Sequence, residues 1–268
     1  MSSGLPTLVG LPYDGSSSFR RGAAAAPRAI RDALRSPASN AWSETGVDLG
    51  SPDALADAGD VDLANTTDVR GAIETGIRSV LREGGRPVAL GGDHSVTYPV
   101  LRALRSAHPA LTVLHFDAHP DLYAEFEGDR FSHACPFARV MEERLADHLV
   151  QVGIRTMNGH QRAQADRYGV EVIDMRAWVA GARPAVHGPV YLSIDIDAFD
   201  PAFAPGVSHR EPGGLGVREV LTVIQSLAGP IVGADVVEFN PSEDALGVTG
   251  AVCAKVVKEV VGRMVASS

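Results

Sequence analysis

Short apolar, β-branched runs recur along the chain and alternate with stretches whose apolar residues return every three or four positions. The runs over 7–10, 55–59, 87–91, 111–116, 149–154, 170–173, 190–194 and 231–237 read as strands. Helical spacing appears over 28–34, 69–83, 95–104, 217–227 and 248–264. Pro27 opens the first of these helices, where a missing N–H costs nothing, and Asp68 and Ser95 are placed to cap the second and third. Strands that are apolar on both faces need cover on both faces. The pattern therefore predicts an α/β fold, a three-layer α-β-α sandwich around a mostly parallel, roughly eight-stranded sheet. The segments 37–51 and 201–216 are rich in Gly, Pro, Ser and acids and read as loops. The strand–helix rhythm resumes directly after each, so 1–268 is expected to be a single domain.

Composition narrows the class. The 268 residues carry 24 Lys+Arg against 33 Asp+Glu, a formal charge of −9. That balance argues against a nucleic-acid or anionic-membrane partner. Two cysteines, Cys135 and Cys253, exclude a disulfide framework and favour a reducing compartment. The first 15 residues lack a basic region followed by a sustained apolar run, and no apolar stretch of about 18 residues occurs. A cytoplasmic location is the expectation.

The chemistry gathers just past the ends of predicted strands. Gly91-Gly92-Asp93-His94-Ser95, His115-Phe116-Asp117-Ala118-His119-Pro120-Asp121, Ser193-Ile194-Asp195-Ile196-Asp197 and Asp235-Val236-Val237-Glu238 all lie there. In open α/β sheets that edge forms the ligand crevice. If 117–121 stays extended, Asp117, His119 and Asp121 point to one side, and Asp195 and Asp197 repeat the arrangement. With His94 they supply two imidazoles and four carboxylates. Four carboxylates gathered without cations repel one another and become partly protonated, whereas two divalent ions cancel the charge. A donor set so rich in oxygen favours Mn²⁺ over Zn²⁺. Two such ions are the usual device for making hydroxide near neutral pH, so metal-assisted hydrolysis is the reading.

At these residues the sequence resembles the ureohydrolase family of arginases, agmatinases and their relatives, over nearly the whole chain. It is most similar to the plant-type arginases, through Tyr123, Phe126-Glu127-Gly128, Ser132-His133-Ala134 and Val207-Ser208-His209-Arg210-Glu211-Pro212-Gly213-Gly214-Leu215. The resemblance implies an arginase-like fold and two Mn²⁺ per chain. One ion would be held by His94, Asp117, Asp121 and Asp195, the other by Asp117, His119, Asp195 and Asp197. It further implies His133 as a proton shuttle, Glu238 as the holder of the guanidinium, Asp121 as carrier of a proton to the leaving amine, and a homo-trimer or homo-hexamer.

The rest of the substrate is read from nearby loops. Asp129 and Arg130, Asn158 after Gly153-Ile154-Arg155, and His209 are the candidates to meet its tail; His209 either lines the pocket or caps a loop. Arg130 suits an α-carboxylate, whereas the acids Glu125, Glu127 and Asp129 suit a cationic tail. L-Arginine is the expected small guanidino substrate, giving L-ornithine and urea. Agmatine is the alternative, followed by formiminoglutamate or guanidinobutyrate. A dinuclear phosphoesterase would need Lys or Arg at these strand ends, and the motifs are short of them. A non-catalytic metal-binding protein would take up metal and release no urea.

Overall fold

Along β4 (Thr112–Phe116) the side chains divide between two cores. Val113 faces one, while Leu114 and Phe116 face the other, and all are buried. The same division runs along β7 (Val190–Asp195) and β8 (Ile231–Val237), which is the pattern of a sheet covered on both sides. The computed structural model describes residues 4–266. Eight strands form one sheet in which every pair is parallel. The others are β1 (Pro6–Gly10), β2 (Ala56–Asp60), β3 (Arg86–Leu90), β5 (His148–Ile154) and β6 (Glu171–Asp174). Their order across the sheet is β2-β1-β3-β8-β7-β4-β5-β6.

On one face, α1 (Ala26–Leu34), α7 (Val217–Ser226) and α8 (Val248–Ala266) bring Ile30, Val220, Ile224, Val256 and Val260 against the sheet. On the other, α2 (Val69–Arg82), α3 (Thr97–Arg105) and α4 (Pro136–Glu142) bring Ile73, Ile77, Leu101, Leu104 and Phe137. Fully burying each such side chain contributes about 1.5–3 kcal/mol. The remaining helices are α5 (Gly159–Tyr168) and α6 (Met175–Val179).

Three helices, α4, α5 and α6, have no counterpart in the hydrophobic pattern. α5 reads GHQRAQADRY and buries Gln161, Gln164 and Ala165, so it carries no apolar stripe. α4 and α6 are only 7 and 5 residues long, too short for a period to show. Asp68 caps α2 as expected, accepting from Gly71 N at 2.9 Å. Ser95 does not cap α3. A 3-10 turn over His94–Val96 intervenes, and Asp93 caps it by accepting from Ser95 N at 3.1 Å.

Because β8 lies between β3 and β7, the loops after β3, β8, β7 and β4 open side by side. The strand order reverses there, and a crevice forms outside the carboxyl ends of the strands.

Candidate metal centre and active site

His94 leaves β3 through Gly91 and Gly92. A Cβ on Gly92 would lie 1.6 Å from the Tyr13 carbonyl oxygen, so only glycine lets the two segments pass this closely. The His94 ring is fully buried. Its Nε2 sits 2.9 Å from Ser193 Oγ, and that hydroxyl donates to Asp235 Oδ1 at 2.8 Å. Asp235 also accepts from Tyr191 Oη at 2.6 Å and Thr97 Oγ1 at 2.8 Å, so its carboxylate is fixed from three sides. Because Ser193 Oγ gives its proton to Asp235, Nε2 is the donor to Ser193, and Nδ1 is turned to the opposite side. Nδ1 is buried with no hydrogen-bond partner, although Asp121, Asp195 and Asp117 oxygens lie 3.0, 3.2 and 3.3 Å from it.

Asp117 belongs to a second cluster as well. His119 Nδ1 lies 3.0 Å from Asp197 Oδ2 and 3.4 Å from Asp117 Oδ1. One potential ligand atom from each of Asp117, His119 and Asp197 falls within a sphere small enough for one cation, and Asp117 is common to this group and that of His94. His115 also approaches Asp117, but both its nitrogens are engaged: Nε2 lies 2.8 Å from Asp117 Oδ2 and Nδ1 faces Gln151 Nε2 at 3.0 Å. It orients the carboxylate from behind.

The convergence is not the strand alternation that the spacing suggests. β4 ends at Phe116, the chain turns with His119 N donating to Asp117 Oδ1 at 2.6 Å, and Asp121 adopts φ 51°. A left-handed conformation at a non-glycine residue is strained and is retained here because it aims the carboxylate inward. Glu238, at the end of β8, is likewise left-handed at φ 62°. Asp195 and Asp197 are joined across a 3-10 turn, Asp195 Oδ1 accepting from Asp197 N at 2.8 Å.

The electrostatics are those of crowded acids. Burial, and then repulsion by Asp197 and Asp117, hold the Asp195 carboxyl well above the usual carboxylate range. Burial, with Asp117 opposite, pushes Asp197 up to about 6. Burial disfavours a charged His94, but Asp117, Asp121 and Asp195 around it raise its pKa well above the ordinary value. Such a group is neutralised by protons or by cations. An unpartnered imidazole nitrogen facing three carboxylates, with a fourth beside His119, fits divalent metal.

His133 precedes α4 and is 8% exposed. Its Nδ1 lies 2.8 Å from Glu238 Oε1, which also accepts from His94 N at 2.9 Å. Burial opposes protonation of His133, but Glu238 overcomes it and raises the pKa to about 9. Both residues, with His119, Asp121, Tyr123 and His209, line a cavity of about 230 Å³. The His209 ring stands 5.3 Å from His133 and 5.8 Å from His119, so His209 is a pocket residue rather than a distant loop cap. Burial lowers its pKa, and the two neighbouring imidazoles add to that.

The other tail candidates are not brought into the cavity. Arg130 is bound to Glu142 at 2.9 Å, and Asp129 accepts from Phe131 N at 2.7 Å inside its own turn. Asn158 caps α5 and donates to Tyr123 Oη at 2.6 Å. Neither Asp129, Arg130 nor Asn158 is among the lining residues; Asn158 acts behind Tyr123. Lining residues not expected from the sequence are Ser18, Thr156 and Gln161. Ser18 lies in a run of three serines and Gln161 in the polar helix α5, and neither setting carries a sequence signal. Among the described residues no Lys or Arg lines the cavity, which disfavours a phosphate ester as substrate. Among the described residues no helix is long and apolar enough to cross a membrane.

Comparison with known proteins agrees with this geometry. Residues 6–262 match the arginase family. A mitochondrial arginase of Medicago truncatula is 44% identical, over 96% of this chain and 81% of that protein. Proclavaminate amidinohydrolase of Streptomyces clavuligerus is 36% identical, over 94% of this chain and 84% of that protein. Among solved structures, arginase from Medicago truncatula superposes with a TM-score of 0.93 at 42% identity, covering 98% of this chain and 88% of that one. A putative agmatinase from Clostridium difficile gives 0.86 at 27% identity, covering 99% and 98%. With sheet order, site and sequence in agreement, the chain belongs to the arginase family and is a ureohydrolase, a hydrolase of guanidino C–N bonds.

Proposed function

We propose that the protein hydrolyses L-arginine to L-ornithine and urea, with two Mn²⁺ held by His94, Asp117, His119, Asp121, Asp195 and Asp197. The observation that supports it is His94 Nδ1, buried without a hydrogen-bond partner and facing carboxylate oxygens of Asp117, Asp121 and Asp195 at 3.3, 3.0 and 3.2 Å. A bound pair of divalent ions supplies a water of lowered pKa and so a nucleophile at neutral pH.

The chain's own residues do the rest. Glu238 accepts from the guanidinium and draws it toward the nucleophile. Its Oε1 is occupied by His94 N and His133 Nδ1, so Oε2 is the oxygen left for a guanidinium N–H, and the grip is one-oxygen rather than a two-oxygen fork. Asp121 takes the proton of the attacking oxygen and delivers it to the departing amine. His133 exchanges protons with solvent. Water is added across the C–N bond, and ornithine and urea leave.

Arginine is preferred over agmatine because the relatives with the higher identities bear arginase names, at 44% and 42%, whereas a putative agmatinase stands at 27%. A homo-trimer or homo-hexamer and a cytoplasmic location belong to the same proposal. The buried, unpaired Cys135 and Cys253 are compatible with a reducing compartment, although the plant relatives are named mitochondrial. Urea release from arginine and agmatine, measured side by side with Mn²⁺, tests the assignment. Faster turnover of arginine is expected; a tenfold preference for agmatine would overturn it.

A further inference from the structure

We infer that Ser18 is the relay through which His133 exchanges protons with bulk water, a reading that rests on the shuttle role proposed for His133. His133 is buried, and its two nitrogens face different groups. Nδ1 is turned to Glu238. Nε2 meets Ser18 twice: the Ser18 backbone N–H donates to it at 3.2 Å, and Ser18 Oγ lies 2.8 Å away. Ser18 itself is exposed and lines the cavity. The hydroxyl therefore stands between a buried base and solvent.

The chemistry suits a relay. When Nε2 carries a proton it donates to Oγ, and the serine passes its own proton to water. The Nε2–H bond breaks as a new Oγ–H forms, the old Oγ–H is lost to solvent, and the serine is regenerated with its hydroxyl rotated. The Ser18 N–H then faces an unprotonated Nε2, a contact that favours release over retention. Imidazole-to-hydroxyl-to-water transfer needs only hydrogen-bond distance at each step.

The segment bearing Ser18 is held, which makes the contact a fixed one. Ser16 N donates to Asp93 Oδ2 at 2.9 Å and Ser17 Oγ to the same oxygen at 3.3 Å. His133 N donates back to Ser16 O at 3.2 Å, so base and relay are tied together through the main chain. Beyond Ser18, Gly22 N donates to Asp14 Oδ2 at 2.7 Å, and Asn240 Nδ2 to Arg20 O at 3.2 Å. The titratable groups facing His133 are Glu238, Asp121, Asp93 and His209. Among the described residues the group hydrogen-bonded to Nε2 is Ser18.

The test compares the Mn²⁺-loaded wild type, Ser18→Ala, Ser18→Thr and His133→Asn with whichever guanidino substrate the wild type turns over, in weak and strong imidazole buffer. Ser18→Ala is expected to lower kcat about tenfold with little change in KM, and the loss is expected to fade as imidazole rises. Ser18→Thr keeps the hydroxyl and should retain turnover. With Mg²⁺ in place of manganese and ¹⁵N-labelled histidine, the Nε2 proton of His133 should exchange with water more slowly in Ser18→Ala. The inference is overturned if Ser18→Ala turns over like wild type while His133→Asn is impaired, or if its loss resists imidazole. A fully active His133→Asn would overturn the shuttle and the relay together. An arginine-inactive wild type that hydrolyses agmatine would change only the substrate.

Discussion

His94 Nε2 lies 2.9 Å from Ser193 Oγ, and this bond is what turns Nδ1 toward Asp117, Asp121 and Asp195. A ligand imidazole needs its second nitrogen anchored to fix tautomer and ring plane. Ser193 forwards the anchor to Asp235, buried between Tyr191 and Thr97. Ser193→Ala should therefore weaken manganese binding about 10- to 100-fold. Metal titration followed by urea release checks this, and a wild-type affinity would refute it.

Gly92 stands where any side chain strikes the Tyr13 backbone, 1.6 Å from its oxygen. Gly92→Ala must push the segments apart and break the bond from Asp93 N to Tyr13 O, now 2.9 Å. A loss of about 2–4 kcal/mol in urea unfolding is expected, with weaker metal binding because His94 follows two residues later.

Chelation should lower the melting temperature. Metal at 100 times its dissociation constant stabilises a fold by about 2.7 kcal/mol, several degrees for a chain of this size at about 2–4 °C per kcal/mol. Differential scanning calorimetry with EDTA, then with added Mn²⁺, should show the drop and its recovery. An unchanged melting temperature would argue against a resident metal.

The pH response of the chelated protein follows from His133. Its pKa is raised to about 9 from an ordinary 6.5. The fold therefore favours the protonated ring, a stabilisation complete below about 6.5 and lost as pH climbs through 9. Melting temperature should fall over that interval, and fall less steeply in His133→Asn. Equal slopes for the two proteins would contradict the ion pair with Glu238.

The sequence discloses the parts of this protein that repeat. The central strands announce themselves as short, mostly apolar runs, and α1, α2, α3, α7 and α8 by apolar residues at helical intervals. α5 stays hidden because its buried residues are Gln161, Gln164 and Ala165. The site is legible in the same uneven way. His94, Asp117, His119, Asp195 and Asp197 cluster as read, since acids seldom sit at the ends of apolar strands without a reason. The turn that brings Asp121 in, however, depends on φ 51°, which no spacing rule foresees. Arg130 reads as a carboxylate anchor in sequence, and in the fold it pairs with Glu142 at 2.9 Å. Ser18 meets His133 across more than a hundred residues of sequence, a contact that only the folded chain reveals.

The position of β8 carries one last consequence. This strand, which ends at Val237, fills the middle of the sheet between β3 and β7 and delivers Glu238 to the pocket. Among the described residues it is also the last strand in chain order, so a chain cut short before it lacks the slat that joins the two halves of the sheet. Neither half alone unites His94 with Asp117 and Asp195. Products of incomplete translation that stop short of β8 should be catalytically silent.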